Sequence, residues 1–289
     1  MTPADGTPRL RDGFARQLTS IVAAGITGRG PSALCGDGVW QEAVDLLHRS
    51  ARIAIVSGFY VPAVSAPETD GPPGALVLAR ALLRMDRDVF VWTDSLCLDC
   101  FKACAAAIGF PPERVVDASV EDAALEVPNL LIYVERLGRA ADGAFYNMRR
   151  EDITQWTPAL DSFALSGETP VIGIGDGGNE VGMGNLVQEM SQIDPSYAHC
   201  LCVVKSDACI PVDVSNWGAY ALAAALSATE GKWLGQSRDE ERAMLEALCA
   251  CGVVDGVTKR CELSVDGLAL DEQLKIRDAL EDLAARAAM

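Results

Sequence analysis

The sequence is short of positive charge: 24 Lys and Arg residues stand against 41 Asp and Glu residues, a formal net charge of −17. Such an anionic surface repels phosphate groups, which argues against nucleic acids and anionic membranes as partners. Long apolar runs are also missing, so no transmembrane helix is predicted. The first ten residues, MTPADGTPRL, lack a basic segment followed by an apolar one, so no secretory signal is predicted. We therefore expect a cytoplasmic protein that acts on a small-molecule substrate; the sequence allows a homo-oligomer but does not specify one.

Histidine is rare, with only His48 and His199, whereas ten cysteines are present. Cys97-x-x-Cys100 has the spacing of a zinc or redox site, and Cys104 follows four residues later, but the chain has no second Cys-x-x-Cys pair. In a reducing compartment, free cysteines are the rule, and each packs like a small hydrophobe. We interpret these three cysteines as thiols packed in or near a helix.

Short apolar runs alternate with helical patterns from residue 52 onward. The predicted strands are 53–56, 89–92, 114–117, 130–134, 171–174 and 200–204, with a short strand pair in 253–265. The predicted helices between and after them are 75–85, 95–108, 219–227, 238–251 and 271–288. This alternation predicts an α/β fold: a three-layer, mostly parallel Rossmann-like sheet with helices on both faces.

The N-terminal segment, residues 1–50, reads as helical and irregular. Phe14, Leu18, Ile21 and Val22 recur at helical spacing, and 39–48 is a second predicted helix. No low-complexity stretch or internal repeat divides the chain. We predict a single α/β domain over residues 1–289, with residues 1–50 packed on the part formed by residues 51–289.

The stretch 169–184, TPVIGIGDGGNEVGMG, places a glycine-rich acidic loop after a buried strand. Gly173, Gly175 and Gly178 match the dinucleotide-binding pattern G-x-G-x-x-G. Against that interpretation, Asp176 lies inside the turn where a pyrophosphate would sit, and the unit occurs late in the chain. Asp176 and Glu180 have the oxygen ligands that Mg²⁺, Mn²⁺ or Ca²⁺ prefers. The alternative is that the polar side chains of this loop only satisfy backbone N–H groups.

Polar and ionisable residues follow each predicted strand. They are Ser57-Gly58 leading to Glu68-Thr69-Asp70, then Thr93-Asp94, Glu135-Arg136, Asp176 with Asn179-Glu180, and Lys205 with Asp207. Because the carboxyl ends of parallel strands meet at one edge of a sheet, we expect an acidic cleft that holds several carboxylates and two cations.

Eight segments in order resemble the D-glutamate cyclase family, from about residue 50 to the C-terminus. They are SGFYVP (57–62), PETDGPPGA (67–75), TDSLC (93–97), ERLGRAADGAFYNMR (135–149), GIGDGGNEVGMGN (173–185), VSNWGAYAL (214–222), VDGVTK (254–259) and SVDGL (264–268). One departure is Arg150, which follows Met148-Arg149 where the family pattern has glycine. The resemblance makes residues 51–289 a cyclase-like domain.

The resemblance implies a hydro-lyase of D-amino acid metabolism that converts D-glutamate to 5-oxo-D-proline by intramolecular loss of water. Such a reaction needs a base, a positive group for the tetrahedral intermediate, and a proton for the departing oxygen. We expect Asp70 or Asp94 as the base, Arg149 and Lys205 as carboxylate clamps, and Mg²⁺ or Mn²⁺, if a metal is used, on Asp176 and Glu180. The other predicted substrate-binding residues are Thr69, Asn147, Gly177, Gly178, Asn179 and Asn216.

No nucleotide cofactor is expected. Two other functions remain open at this point: a nucleotide-dependent oxidoreductase or transferase that uses the GIGDGG loop, and a non-catalytic amino-acid sensor that kept the fold.

Overall fold

The structure, a computed structural model, describes residues 8–120 and 126–288. Its strands are β1 (Arg52–Ser57), β2 (Tyr60–Val61), β3 (Ala66–Pro67), β4 (Asp88–Thr93), β5 (Val115–Asp117), β6 (Leu130–Val134), β7 (Val171–Gly175), β8 (Ala208–Pro211), β9 (Ser264–Val265) and β10 (Leu268–Ala269). Its α-helices are α1 (Phe14–Val22), α2 (Val39–Arg49), α3 (Pro72–Leu83), α4 (Leu98–Ala107), α5 (Ser162–Leu165), α6 (Val187–Ile193), α7 (Ser215–Glu230), α8 (Arg238–Ala250) and α9 (Leu270–Ala288).

The predicted α/β architecture is confirmed by a six-stranded central sheet in the order β5-β4-β1-β6-β7-β8, in which every neighbouring pair is parallel. Strand β1 lies in the middle, and its residue Ile53 is in register with Val89 on one side and Leu130 on the other. The chain first builds β4 and β5 on one side of β1, then returns to build β6, β7 and β8 on the other. The switch of direction falls between β1 and β6, which is where open α/β sheets bind ligands.

Alternate residues of the strands enter two separate hydrophobic layers, as the two-residue period of a strand requires. In β1, Ile53 and Ile55 face the larger layer, which contains the long helices α1–α4 and α7–α9. Ala54 and Val56 face a smaller layer that contains residues of α5 and of the loops around residues 181 and 202–204. The sheet is therefore covered on both faces.

The N-terminal helices belong to the larger hydrophobic layer. Phe14, Leu18 and Val22 of α1 are buried in it, together with Trp40 of α2. The Trp40 indole N–H also donates a hydrogen bond of 2.9 Å to the hydroxyl of Thr19, which joins the two helices. The apolar spacing read from the sequence thus corresponds to real packing.

The three clustered cysteines lie at the beginning of α4 and inside it. Cys97, Cys100 and Cys104 are all buried free thiols in the larger hydrophobic layer. Burial raises the pKa of the Cys100 thiol to about 12, so this thiol stays protonated at neutral pH. The predicted packing of these thiols against a helix is what the structure has.

The predicted strand at 200–204 is wrong, and the sixth strand is β8 at Ala208–Pro211. The apolar run is buried for another reason: its backbone bonds to the glycine-rich loop, with Cys202 N donating to Gly178 O at 3.0 Å and Gly182 N donating to Val204 O at 2.9 Å. Strand β8 is an edge strand, which tolerates the missing N–H of Pro211.

The short pair predicted in 253–265 is found later, as the antiparallel strands β9 and β10. Within the described residues, no helix has both the length and the apolar character that a membrane crossing requires.

Candidate active site

The glycine-rich loop after β7 is closed around the carboxylate of Glu180. This carboxylate accepts three backbone hydrogen bonds, from Asp176 N at 3.1 Å, Gly177 N at 2.7 Å and Gly178 N at 2.8 Å. The side chain is 1% exposed. These three amides are therefore occupied, which leaves none of them for the phosphates that a dinucleotide loop would hold.

Two glycines make this closed turn sterically feasible. A Cβ atom at Gly175 would lie 2.7 Å from a carboxylate oxygen of Glu180. Gly178 has φ of +92°, a conformation that residues with a side chain rarely adopt. The glycines thus let the backbone wrap around Glu180.

Asp70, which follows the β1 end in the loop before α3, binds the N-terminus of α7. Its carboxylate accepts hydrogen bonds from Ser215 N at 2.9 Å, Asn216 N at 2.8 Å and Gly71 N at 3.0 Å. The free N–H groups at a helix N-terminus stabilise a negative charge. Asn216 returns the contact, because its side-chain oxygen accepts from Gly71 N at 3.0 Å and from Gly74 N at 2.7 Å.

Glu135 is the first residue after β6 and has a left-handed backbone with φ of 46°. This conformation is uncommon for a residue with a side chain and is worth attention when it occurs at a strand end. One carboxylate oxygen, Oε2, accepts a hydrogen bond of 2.6 Å from the Ser215 hydroxyl. Among the described residues, the other oxygen has no hydrogen-bond donor.

Arg29 brings a positive charge into this acidic region from the N-terminal segment. Its guanidinium lies 2.6 Å from a carboxylate oxygen of Asp176 and 2.8 Å from one of Asp266. The loop that presents it is held by Asp213, whose carboxylate accepts hydrogen bonds from Gly25 N at 2.9 and 3.1 Å. Arg29 thereby links the start of the chain to the β7 end.

The loop that presents Asp266 is organised by Asp255. One oxygen of Asp255 accepts from Val257 N at 2.8 Å, and the other accepts from the Ser264 hydroxyl at 2.6 Å and Gly267 N at 2.7 Å. The VDGVTK and SVDGL segments therefore act together to place Asp266 against Arg29.

These elements enclose a cavity of about 220 Å³ at the carboxyl edge of the sheet. The residues that line it are Arg29, Phe59, Val61, Pro62, Glu68, Glu135, Asn147, Met148, Arg149, Asp176, Asn179, Gly256, Val257 and Asp266. Four of these residues are acidic and two are basic, so the cavity is an acidic cleft with two cations. These cations are Arg29 and Arg149, whereas the strand ends had predicted Arg136 and Lys205.

The carboxyl groups of this cluster hold their protons more tightly than usual. Burial raises the pKa of Asp70 to about 7, with further repulsion from Asp266. Burial also raises the pKa of Asp176 to about 7, against the lowering effect of Arg29. The pKa values of Glu68, Glu135 and Asp266 are raised well above normal by burial first and by their acidic neighbours second.

Several predicted site residues line this cavity, namely Asn147, Arg149, Asp176 and Asn179. Gly177 and Gly178 belong to the loop closed by Glu180, directly beside it. The Asn147 side chain is engaged locally: its amide donates to Glu151 at 2.7 Å, and its oxygen accepts from Arg149 N at 2.9 Å.

Other predicted residues lie near the cavity without lining it. Asp70 and Asn216 form the network at the α7 N-terminus described above. Thr69 is fully buried, and its hydroxyl donates to Ser264 O at 2.8 Å. Asp94 forms a buried ion pair with Arg136, which also donates to Gly58 O at 2.8 Å.

Lys205 does not reach the cavity. Because β8 begins at Ala208, Lys205 and Asp207 precede the strand and lie at its amino end, opposite the edge that carries the cavity. Lys205 is exposed, and Asp207 accepts a hydrogen bond of 2.8 Å from Val171 N at the beginning of β7. Because the strand was predicted too early in the sequence, Lys205 was expected at its carboxyl end and lies instead at its amino end.

Sequence reasoning missed Arg29 as a site residue and gave no role to Glu68, Glu135 or Asp266. Arg29 lies in a glycine-rich loop, where nothing in the local pattern indicates a distant partner. The other three residues lie in segments that carry the family resemblance: Glu68 in PETDGPPGA, Glu135 in ERLGRAADGAFYNMR and Asp266 in SVDGL. Their place in these segments could have identified them as site residues.

A sequence model of the family described as "D-glutamate cyclase-like, C-terminal" matches residues 18–281. The human (Homo sapiens) protein "D-glutamate cyclase, mitochondrial" is 31% identical over 236 residues, which are 73% of this chain and 38% of that protein. The chain therefore spans well under half the length of this relative.

Among solved structures, an exopolyphosphatase-related protein from Bacteroides fragilis matches with a TM-score of 0.39 and 12% identity, over 88% of this chain and 61% of that one. A likeness this weak supports no inference. The family match covers most of the chain and includes every loop that lines the cavity. The chain belongs to the D-glutamate cyclase-like family.

Proposed function

We propose that this chain catalyses the intramolecular dehydration of D-glutamate to 5-oxo-D-proline in the acidic cavity, which would make it a hydro-lyase. The family and the name of the human relative support the reaction class. The observation that carries the proposal is the pairing, in one cavity, of clustered carboxylates with the guanidinium of Arg149.

Arg149 is the group proposed to bind the substrate's α-carboxylate. The neighbouring arginines on the same segment are engaged elsewhere, because Arg139 pairs with Asp161 at 2.7 Å and Arg150 with Asp194 at 3.7 Å. Arg149 forms no ion pair within the described part of the chain. A guanidinium in this position can hold a planar carboxylate through two parallel hydrogen bonds.

The carboxylate cluster is proposed to attract the ammonium group of the same substrate. Binding both ends of glutamate folds it so that the nitrogen approaches the γ-carboxyl carbon, and such proximity can contribute several kcal/mol. In the reaction, the N–C bond forms and one C–O bond breaks. The two protons that the ammonium loses leave with the departing oxygen as water, so no net proton is consumed.

Glu68 is proposed as the group that accepts and returns these protons. It lines the cavity and is 8% exposed, and its carboxylate has no hydrogen-bond donor among the described residues. By contrast, the predicted bases are engaged: Asp70 accepts three backbone N–H groups, and Asp94 pairs with Arg136. We therefore assign Asp70 and Asp94 positioning roles.

Close packing fixes the position of Glu68. A Cβ atom at Gly256 would lie 2.2 Å from a carboxylate oxygen of Glu68, so a side chain there would displace this carboxylate from its position. The backbone of Glu68 donates to Phe59 O at 3.1 Å and pairs with Val254 in a short parallel bridge. Such support on both sides is what a proton-transfer group needs.

The test is turnover of D- and L-glutamate by the purified chain, followed by NMR detection of the lactam, with added Mn²⁺ or Mg²⁺ and without. We expect 5-oxoproline from the D-isomer, and a loss of about 100-fold or more in kcat for Glu68→Gln, in line with typical losses of a general base. The control is Glu189→Gln, which removes the same charge from an exposed position. Equal turnover by both variants would remove Glu68 from the mechanism.

The same samples separate the other two functions. Stabilisation by NAD(P) or a flavin would favour the nucleotide-dependent enzyme, which the three occupied amides of the glycine loop disfavour. Tight binding of glutamate without turnover would favour a sensor.

A further inference from the structure

The carboxylates beneath the cavity come together from three different strand ends. Asp70 follows β1, Glu135 follows β6 and Asp176 follows β7. Each offers one oxygen atom, and these atoms all lie within 4.8 Å of one another. Within the described residues, this is the one such group of His, Cys, Asp or Glu side chains. We propose that Asp70, Glu135 and Asp176 bind one hard divalent cation.

The open oxygen atoms of this triad distinguish it from an ordinary acidic cluster. Asp176 is 1% exposed, and its Oδ2 atom has no hydrogen-bond partner in the described part of the chain, although Oδ1 faces Arg29. Buried polar atoms almost always have a partner, so an orphaned carboxylate oxygen calls for a missing one. Glu135 also has one oxygen that receives no hydrogen bond from the described residues, since only Oε2 is bonded to Ser215.

The charge balance points the same way. Glu68 and Asp266 join the triad in the same region. Among the residues that the structure describes, Arg29 is the one cation that forms ion pairs with this cluster, through Asp176 and Asp266. A buried charge is costly unless it is paired or bound to a metal. A divalent cation would supply the two positive charges that Arg29 alone cannot.

The ligand chemistry limits which cations fit. The three oxygen atoms lie within 4.8 Å of one another, close enough to share one ion. Ligand sets made of oxygen alone suit hard cations such as Ca²⁺ and Mg²⁺, and carboxylates also suit Mn²⁺.

This ligand set differs from the pair Asp176 and Glu180 expected from the sequence. Both oxygens of Glu180 already accept backbone N–H groups from its own loop. In the triad, by contrast, Asp176 Oδ2 and one oxygen of Glu135 have no donor among the described residues. Asp70, whose oxygens also accept backbone N–H groups, would bind the cation through a remaining lone pair. We accordingly retain Asp176 as a ligand and replace Glu180 with Asp70 and Glu135.

A cation at the triad would lie under the cavity that Glu135 and Asp176 line. There it would stabilise the negative charge that develops when the amine attacks the γ-carboxylate. This catalytic role depends on the proposed function, but cation binding does not. Binding without turnover would therefore refute the function and leave the site intact.

The experiment is a titration of the full chain, stripped with a chelator, with Mn²⁺ at neutral pH, reading free Mn²⁺ by electron paramagnetic resonance. We expect one bound Mn²⁺ per chain, displaced by Ca²⁺. Glu135→Gln and Asp176→Asn should each weaken binding at least about 10-fold, the lower range of what even outer-shell changes cost at metal sites. Glu189→Gln, an exposed charge-matched control, should bind like the wild type.

Absence of stoichiometric binding by the wild type would overturn the proposal, as would unchanged binding by both folded variants. Circular dichroism in chelator establishes whether each variant is folded. A crystal of the wild-type chain soaked in Mn²⁺ answers the question without any variant. An anomalous peak between the three carboxylates supports the site, and a peak elsewhere or none refutes it.

Discussion

The role of Glu180 is open to a sharp mutational test, because a glutamine side chain has the same shape with one acceptor oxygen fewer. In Glu180→Gln, the amide can keep the bonds from Asp176 N and Gly177 N, which share one oxygen. The N–H of Gly178 then faces an NH₂ group and loses its acceptor. The opposite orientation of the amide would orphan two donors instead of one.

The structure allows an estimate of the cost. An unsatisfied buried donor costs about 1–3 kcal/mol, and a charged acceptor is worth about 1 kcal/mol more than a neutral one. Removing one charge from the acidic cluster offsets part of this. We expect the free energy of unfolding to fall by about 2 kcal/mol. With an unfolding entropy of about 2.1 cal/mol/K per residue, this lowers the Tm by about 3 °C.

Calorimetry and urea unfolding in chelator measure this change, and Mn²⁺ titration of the same samples measures cation binding. The control Glu189→Gln lies on the surface of α6 and should change stability by no more than about 0.5 kcal/mol. Equal stability of the two variants would refute the conclusion that the Glu180 carboxylate stabilises the glycine-rich loop. Loss of Mn²⁺ binding with unchanged stability would instead make Glu180 a metal ligand.

Two further predictions concern buried charges away from the triad. Asp94→Asn should lower the free energy of unfolding by about 3–5 kcal/mol in urea titrations, because it leaves the buried guanidinium of Arg136 without its ion-pair partner; a loss below about 1 kcal/mol would contradict this. Burial raises the pKa of Glu241 from 4.5 to about 7, against the lowering effect of Gln236 and Tyr220. The folded chain then binds this proton more tightly than the unfolded chain, so stability falls as pH rises from about 4.5 to about 7. Glu241→Gln should remove up to about 3 kcal/mol of the stability difference between pH 5 and pH 8; identical pH profiles for the two proteins would contradict the assignment.

The parallel sheet was predictable because its strands are short, apolar and separated by helical patterns. Ile53 and Leu130 begin such runs, and both pair where the pattern places them. The run at 200–204 is equally apolar, yet it is buried against the loop at 178–184 instead of joining the sheet. Burial alone does not distinguish these two situations, whereas strand pairing does.

The site was predictable only in part, for a similar reason. Asp176 and Arg149 lie in segments whose local composition marks them as unusual. Arg29 and Asp266 come from opposite ends of the chain, and their meeting depends on the packing of α1 and of the loop that Asp255 holds. The sequence indicated that Glu180 belongs to the site. Whether its oxygens bind backbone N–H groups or a ligand is decided by the conformation of the glycine-rich loop, which the sequence does not give.

The most direct measurement of the central claim is a time course of carbon-13-labelled D-glutamate with the purified chain and Mn²⁺, observed by NMR. The account predicts that the γ-carboxyl signal is replaced by the lactam carbonyl of 5-oxo-D-proline, at a rate that Glu68→Gln reduces and Glu189→Gln does not. Unchanged D-glutamate at equimolar enzyme, with the chain folded and Mn²⁺ bound, would contradict it.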